Sequence, residues 1–268
     1  MLILLAKAYA ASCCVGSTSA LPTRLGPCEE HLVGALIHGQ GSSTRWDSDG
    51  HVVGSSLESR SLTVTAYGAV RVNPRMQLGV ALPMQASLHT VSGQSSQGGG
   101  LGDARLSMLL EPTSIGAGPW AVASVRLPAG RSWRESDDPL AADVTGRAGL
   151  GVTLVAGYGN TEGSWPWALT AGVGAESGGL LAPEISATVG RTLGPAWTLA
   201  SSLSHQESLA PGSAWARAAE TTASLSLVRG RQAAWRAWGS VDSGVPLPGL
   251  GSDLALERGV SLGFAKLF

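Results

Sequence analysis

The residues that most suggest catalysis are a serine, a histidine and two acids in the last third of the chain. Ser204-His205-Gln206-Glu207-Ser208 is contiguous, and Asp242 follows later. A Ser/His/acid arrangement would activate the serine if the side chains were within hydrogen-bond reach. No Gly-x-Ser-x-Gly motif accompanies it, and His205 shares its face with Leu199 and Leu203. We therefore expect His205 at the lipid surface or the rim, and we predict no catalytic residue and no enzyme.

The three cysteines and a glycine-rich stretch are the other candidates for chemistry. In a secreted protein Cys28 would pair with Cys13 or Cys14, because neighbouring cysteines rarely bond each other. They lack a histidine or a second cysteine pair at zinc spacing, so we predict no metal and no cofactor. The stretch 97–102 precedes no Gly-Lys-Ser/Thr and is expected to be a flexible loop rather than a phosphate cradle.

Composition limits the classes of protein that can carry these residues. Charged residues make up 14% of the 268, well below the roughly 25% usual for soluble domains. The net charge of -1 argues against a general nucleic-acid binder, which needs an excess of Lys and Arg. No run of 18 apolar residues occurs, so no transmembrane helix is predicted. A soluble β protein and a membrane β-barrel remain.

The dominant pattern from about His31 onward is alternation of apolar and polar residues. In one segment Trp167, Leu169 and Val173 lie on one face, and Ala168 and Thr170 on the other. Each face stays uniform for about ten residues, the length that a tilted strand needs to cross a bilayer. We predict twelve such strands: 31–42, 59–72, 76–90, 103–112, 119–128, 147–158, 165–177, 181–192, 196–208, 216–229, 232–243 and 256–268.

The connections between these segments alternate in length. Those after odd strands are mostly long, such as 43–58, 91–102 and 129–146, and those after even strands are short. Long external loops alternating with tight periplasmic turns on an even strand count are typical of outer-membrane barrels. The predicted fold class is therefore all-β, an antiparallel up-and-down transmembrane β-barrel of about twelve strands.

Tryptophans mark the two expected membrane interfaces. Trp120, Trp165, Trp167, Trp197 and Trp235 lie near the starts of odd strands. On the opposite side, Trp46, Trp133 and Trp215 lie beside long connections. Amphipathic rings collect in two such belts. Alternation places two tryptophans on the inward face instead: Trp120 and Trp238.

The last strand ends in an aromatic residue. Val260, Leu262, Phe264 and Phe268 share one face. This strand resembles the C-terminal assembly signal of Gram-negative outer-membrane barrels, which implies the barrel-assembly machinery as a partner. Lys266 departs from that pattern, but a lysine near the rim can extend its amine to the headgroups.

A narrower resemblance covers about residues 76–130. Gly100-Leu101-Gly102-Asp103 leads into the segment 104–111, and a later segment ends in Arg126-Leu127-Pro128-Ala129-Gly130. This part resembles a family of outer-membrane channels and transporters associated with the degradation of phenol and other aromatic compounds. The resemblance implies a channel for the uptake of small molecules.

Charged residues fall on the polar, inward faces of the predicted strands. An arginine on the lipid side near the midplane would cost about 2–4 kcal/mol, which an inward position avoids. The set forms either a salt-bridge network or the lining of a narrow polar pore. Its members are Arg71, Arg105, Arg126, Arg236, Glu111, Glu176, Glu184, Glu220 and Asp242.

These patterns give a domain plan and a function. Residues 1–20 are expected to be a signal peptide cleaved near 10 or 20, 21–30 a periplasmic segment, and 31–268 the barrel. We predict a monomeric porin-like channel in the Gram-negative outer membrane, surrounded by its lipids, that transports a small-molecule solute and binds no nucleic acid. The alternatives are a plugged structural or adhesive barrel, whose loops bind partners, and a soluble secreted β-sandwich.

Overall fold

The structure, a computed structural model, consists of antiparallel strands that close into a barrel. It describes residue 25 and residues 29–46, 52–112, 117–132, 134–147, 149–160, 164–177, 181–193, 197–209, 217–229, 235–245 and 257–268. Cys13, Cys14 and Cys28, with their predicted disulfide, lie outside these residues, as does the predicted signal peptide. Among the described residues, no helix is long and apolar enough to cross a membrane.

Thirteen strands are described, and each pairs with its neighbours in chain order, except that β4 and β5 both pair with β3 and not with each other. They are β1 (His31–Trp46), β2 (Val52–Asn73), β3 (Met76–Val91), β4 (Gln94–Leu101), β5 (Ala104–Leu110), β6 (Ala117–Leu127), β7 (Gly151–Asn160), β8 (Trp167–Glu176), β9 (Leu181–Leu193), β10 (Trp197–Leu209), β11 (Arg217–Arg229), β12 (Trp235–Gly244) and β13 (Arg258–Leu267). The pairing of β1 with β13 closes the ring.

The barrel wall has twelve positions because β4 and β5 share one of them. β4 pairs with the later part of β3, from Met84 to Val91, and β5 pairs with its first part, from Met76 to Ala81. Gly102 and Asp103, which belong to neither strand, separate β4 from β5. The predicted up-and-down barrel of about twelve strands is confirmed.

Two expected loops are wrong. The expected loop 43–58 is largely strand, because β1 continues to Trp46 and β2 begins at Val52. The glycine-rich stretch 97–102 was expected to be a flexible loop, but its first residues form β4 on the edge of β3. Glycines carry no side chains to show alternation, so the sequence pattern does not reveal this strand.

The outer wall is apolar, as the alternation predicts. Leu82 is 51% exposed, Val173 42%, Leu262 63% and Phe264 53%. The side chains at neighbouring positions, such as Tyr67 and Ser87, are buried on the inside. An exposed apolar belt around a closed sheet is the surface that a lipid bilayer covers.

The two ends of the barrel differ. At one end, here called the turn end, the start of β1 meets the last residue of the chain: the Glu30 amide donates to the Phe268 carbonyl, and the Phe268 amide to that of His31. The short connection between β2 and β3 also lies there. The opposite end, the loop end, carries the long connection between β6 and β7.

Candidate functional site

An apolar layer lies on the inside of the barrel wall near the turn end. Leu32, Tyr67, Val228, Trp238 and Ala265 point inward from five strands and form one buried cluster. The rings of Tyr67 and Trp238 lie 5.9 Å apart, and the Tyr67 hydroxyl donates to the Phe264 carbonyl. Leu25, which precedes the first strand, is fully buried in this cluster. The N-terminal segment therefore reaches into the barrel.

Arginines of the wall hold this N-terminal segment. Arg71 donates to the carbonyl oxygens of Leu25, at 2.8 Å, and Glu29, at 3.1 Å. Arg236 Nη2 lies 2.9 and 3.1 Å from the two carboxylate oxygens of Glu29. Both arginines point inward, and Arg236 is buried. The predicted inward charges Arg71 and Arg236 thus contact the preceding segment.

A buried polar pair next to Arg71 holds the same segment, because Gln77 is the cross-strand partner of Arg71. The Leu25 amide donates to Gln77 Oε1 at 2.9 Å, and Gln77 Nε2 donates to Glu111 Oε2 at 2.7 Å. Gln77 and Glu111 are both buried. The backbone of Leu25 is therefore hydrogen-bonded through both its amide and its carbonyl oxygen. We call this set the N-terminal lock: Leu25, Glu29, Arg71, Gln77, Glu111 and Arg236.

A cavity of about 390 Å³ lies above the apolar layer. Trp238, Leu36 and Ala81 border it on the side of that layer. The rest of its lining is mostly polar, with hydroxyl groups from several strands. Its charged and imidazole side chains are His38, Asp103, Arg105, Glu184, His205, Asp242 and Glu257. The barrel therefore encloses a polar chamber with an apolar floor.

Three of the predicted inward charges meet in this chamber. Arg105, Glu184 and Asp242 come from β5, β9 and β12, and all line it. Arg105 and Glu184 therefore bring opposite charges to the same chamber. Glu220 was predicted with them, but its side chain lies outside the described residues.

Two other predicted charges form ion pairs at the loop end. Arg126 Nη2 lies 3.2 Å from Glu176 Oε1, and Arg126 Nε lies 3.5 Å from Asp103 Oδ2. Arg147 also pairs with Glu176. Arg105 and Arg126 are direct cross-strand partners, yet their surroundings differ. Arg126 is part of an ion-pair network, and Arg105 borders the open chamber.

Residues 128–132 and 134–147, here called the inner loop, fold against the inner face of β3 and β4. The His89 ring bonds the Leu140 carbonyl at 2.7 Å, and the Thr145 hydroxyl donates to the Leu101 carbonyl at 2.6 Å. A Cβ atom at Gly98 would lie 2.5 Å from the Asp143 Cα. Only glycine allows this approach, so the glycine-rich strand provides the space in which the loop lies.

Asp103 fastens the inner loop to the wall. One carboxylate oxygen accepts from the amides of Ala129 and Gly130, at 3.2 and 3.1 Å, and the other from the Arg147 amide at 2.8 Å. The two ends of the loop are thereby held at one point, the break between β4 and β5. The Gly-Leu-Gly-Asp motif singled out in the sequence supplies this anchor, which the alternation pattern does not indicate.

Acidic side chains of the inner loop hold its own turns. Hydrogen bonds from the backbone and side chain of Ser132 lower the pKa of Glu135. Hydrogen bonds from the Ser96 side chain and the Leu140 amide lower the pKa of Asp138. Arg131 pairs with Asp143 at 2.7 Å. The inner loop is thus held by its own contacts and by the inner wall, whereas its length predicted a long external loop.

His38 and Gln40 line the chamber, although neither is among the predicted inward charges. The His38 ring bonds the Ser261 hydroxyl at 2.8 Å and Gln40 Oε1 at 2.9 Å. His38 and Gln40 both lie on the inward face of β1, as the alternation of polar and apolar residues predicts. His205 was expected at the lipid surface or the rim, but it borders the chamber. Its ring bonds the Thr221 hydroxyl at 2.8 Å, and its Nε2 lies 3.6 Å from the Glu207 carboxylate. Asp242 is near His38 rather than part of an arrangement with His205.

Comparison with known proteins places this architecture. An outer membrane channel from Pseudomonas putida F1 superposes with a TM-score of 0.72 at 17% identity, covering 95% of this chain and 100% of that one. The fold is that of an outer-membrane β-barrel. No protein-family model matches the chain, and no curated protein matches its sequence.

Two further solved structures share the fold less closely. The β domain of the Bordetella autotransporter BrkA gives a TM-score of 0.57 at 12% identity, over 88% of this chain and 99% of that one. A variant of the TodX monoaromatic hydrocarbon channel gives 0.51 at 8%, over 90% and 91%. The expected resemblance to outer-membrane channels is confirmed at the level of the fold. Because an autotransporter domain shares that fold, the function needs a separate argument.

Proposed function

We propose that this protein is an outer-membrane channel that passes small molecules through the polar chamber inside its barrel. The observation that carries the proposal is the cavity of about 390 Å³ within a wall whose outer face is apolar. A barrel whose inside served only as packing would be filled by side chains. The similarity in fold to an outer membrane channel supports the same conclusion.

The proposal includes a cellular orientation and a maturation step. The turn end faces the periplasm, and the loop end faces the exterior of the cell, as is usual for barrels with short turns at one end and long loops at the other. Residues 1–20 act as a signal peptide that is removed near residue 10 or 20. The mature chain then begins with the segment that carries the N-terminal lock. We further propose that it works as a monomer and that the assembly machinery recognises the last strand.

The chamber walls determine which solutes can enter. Four carboxylates border it (Asp103, Glu184, Asp242 and Glu257), together with one guanidinium, that of Arg105. Abundant hydroxyl groups can replace the water around a polar solute. A fixed charge within a low-dielectric wall acts strongly on a passing ion. Arg105 is therefore the side chain whose charge we expect to oppose cations most strongly.

Ion selectivity in planar bilayers tests this proposal. The purified barrel should produce discrete conductance steps, and Arg105→Glu should shift the reversal potential in a salt gradient toward cation selectivity. Arg75→Gln is the matched control, because Arg75 lies in an exposed turn between β2 and β3, away from the chamber. Selectivity unchanged by Arg105→Glu, in a barrel that conducts, would show that ions do not pass this side chain.

A plugged barrel with a structural or adhesive role is the second candidate function. The N-terminal lock supports it, because the lock and the apolar layer occupy space inside the barrel near the turn end. The two candidates differ in whether the lock opens. A folded barrel that gives no conductance, even after the lock is weakened by substitution, would favour the plugged structure.

A further inference from the structure

The outer surface of the turn end carries three cations, each next to an aromatic ring. Arg191 Cζ lies 5.4 Å from the centre of the Trp165 ring, and Arg229 Cζ lies 5.9 Å from that of Trp197. The third cation, Lys266 Nζ, lies 5.8 Å from the Trp235 ring and 4.7 Å from the Phe268 ring. Distances below about 6 Å are those of cation–π contacts. We call these residues the cationic arc.

The surroundings of these cations on the wall are apolar. The cross-strand partners of Arg191, Arg229 and Lys266 include Leu199, Ala237 and Val33. Within the described part of the chain, none of the three cations has a carboxylate partner. The acids described at the turn end are Glu29, Glu30 and Glu111, and Glu29 and Glu111 belong to the N-terminal lock inside the barrel.

This pattern contrasts with the charges inside the barrel. Arg126 and Arg236 each face a carboxylate within 3.5 Å. An unpaired cation on a lipid-facing wall is costly at the depth of the acyl chains, and the cost falls where headgroups provide counter-charge. Tryptophan rings collect at that depth. The cations of the arc therefore lie where the phosphate of a lipid is the available partner.

The arc has a regular spacing along the rim. Its cations come from β9, β11 and β13, that is, from every second strand. Strands are about 4.8 Å apart, which gives about 10 Å between neighbouring cations across the sheet. On the remaining strands, the described cation nearest to this end on the outside is Arg75, in the turn after β2. Among the described residues, the positive charge next to aromatic rings at this end thus lies on one side of the barrel, on β9 to β13.

We propose that the cationic arc binds anionic phospholipids of the leaflet at the turn end. The phosphodiester accepts hydrogen bonds from the guanidinium and ammonium groups, and the aromatic rings pack against the glycerol and the first acyl carbons. A lipid with a net negative charge is preferred over a zwitterionic one, since the latter brings its own cation to the site. This binding does not depend on whether the barrel conducts.

Native mass spectrometry of the whole chain in detergent tests this proposal. Phosphatidylglycerol and phosphatidylcholine with identical acyl chains serve as probes, and the bound lipid is counted at equal lipid concentrations. The wild type should retain phosphatidylglycerol preferentially. The triple variant R191Q/R229Q/K266Q should bind it about tenfold more weakly, because each cation near a surface contributes to anionic-lipid binding. Arg75→Gln, which removes a charge at the same end without a ring contact, should bind it as the wild type does.

Three results would overturn the proposal: equal retention of the two lipids by the wild type, unchanged binding in the triple variant, or an equal loss in Arg75→Gln. Folding of each variant is checked by its heat-dependent mobility on a gel. If the triple variant does not fold, Arg229→Gln and the charge-retaining pair R191K/R229K replace it. The first should then lose lipid, and the second should keep it.

Discussion

Arg236 and Glu29 form an ion pair inside the barrel, although 207 residues separate them in the chain. Arg236 lies on β12 with 5% of its side chain exposed, and Glu29 lies just before β1. The pair joins the segment before the barrel to its inner wall. For the proposed channel, we expect release of this contact to increase conduction.

Substitution of Arg236 should open the lock. Arg236→Gln removes the guanidinium that contacts the Glu29 carboxylate, and this weakens the hold on the N-terminal segment. Breaking a buried ion pair is costly mainly because the remaining charge stays buried without its counter-charge. We expect a higher open probability or conductance in planar bilayers and a lower unfolding temperature. Arg229→Gln is the control, since Arg229 lies on the outer surface of the neighbouring strand. An identical rise in conductance in both variants would contradict the role of the lock.

The lipid-facing wall gives a second prediction. Leu82→Arg and Val173→Arg place a cation on the exposed apolar face, at a cost of about 2–4 kcal/mol near the bilayer midplane. Both variants should show reduced folding into lipid vesicles and a smaller heat-modifiable fraction on gels. Leu82→Met, which keeps the position apolar, should fold normally. Full folding of both arginine variants would refute the orientation of these strands toward lipid.

The strands were predictable because side chains with alternating polarity report their own orientation. All twelve predicted segments overlap described strands, and the tryptophans predicted to point inward, Trp120 and Trp238, do so. β4 was not predicted, because its glycines have no side chains whose polarity could alternate. The position of the inner loop was not predicted either, because it depends on contacts with β3 and β4 between residues far apart in the chain. His89 and Leu140, for example, are 51 residues apart.

The candidate site was predictable only in part. Alternation indicates that Arg71, Arg105, Arg126 and Arg236 share the inner surface, but not which of them find partners. Arg126 meets Asp103 and Glu176, Arg236 meets Glu29, and Arg105 borders the chamber. These differences depend on the height of each residue in the barrel. Height depends on strand register and tilt, which a period of two does not specify.

Asp103 provides a prediction about the inner loop. Asp103→Asn removes the charge at the point where both ends of the loop are held and leaves Arg126 with Glu176 alone. We expect faster cleavage by trypsin at Arg131 and Arg134 in the folded barrel. Asp137→Asn is the matched control, because Asp137 is 94% exposed and pairs with Arg131 rather than with either end of the loop. Equal cleavage rates in the two variants would show that Asp103 does not anchor the loop.

Acid should loosen the same loop. The folded-state pKa values of Glu135 and Asp138 lie below their ordinary values of 4.5 and 3.8. Their contribution is therefore complete above those values and is lost as the pH falls through the lowered pKa. Hydrogen exchange of residues 131–143, corrected for the intrinsic rate, should increase below about pH 4 and stay constant between pH 6 and 8. Protection that is constant down to pH 2.5 would contradict this.

The last strand provides a prediction about assembly. Deletion of Phe268 removes the hydrogen bonds between its backbone and residues 30 and 31, where the barrel closes. The amount of protein in the outer membrane should fall several-fold while synthesis is unchanged. Phe268→Tyr, which keeps an aromatic end, should assemble normally. Wild-type levels of the deletion variant, measured by fractionation, would show that the terminal residue has no part in assembly.

Blocking the chamber tests most directly whether the solute passes through it. Ser240 and Val241 are neighbours on β12; Ser240 lines the chamber, and Val241 is 52% exposed on the outer wall. After modification by a bulky thiol-reactive reagent, the single-channel conductance of Ser240→Cys should fall, and that of Val241→Cys and the wild type should not. Unchanged conductance of Ser240→Cys, with its modification verified by mass, would contradict passage through this chamber.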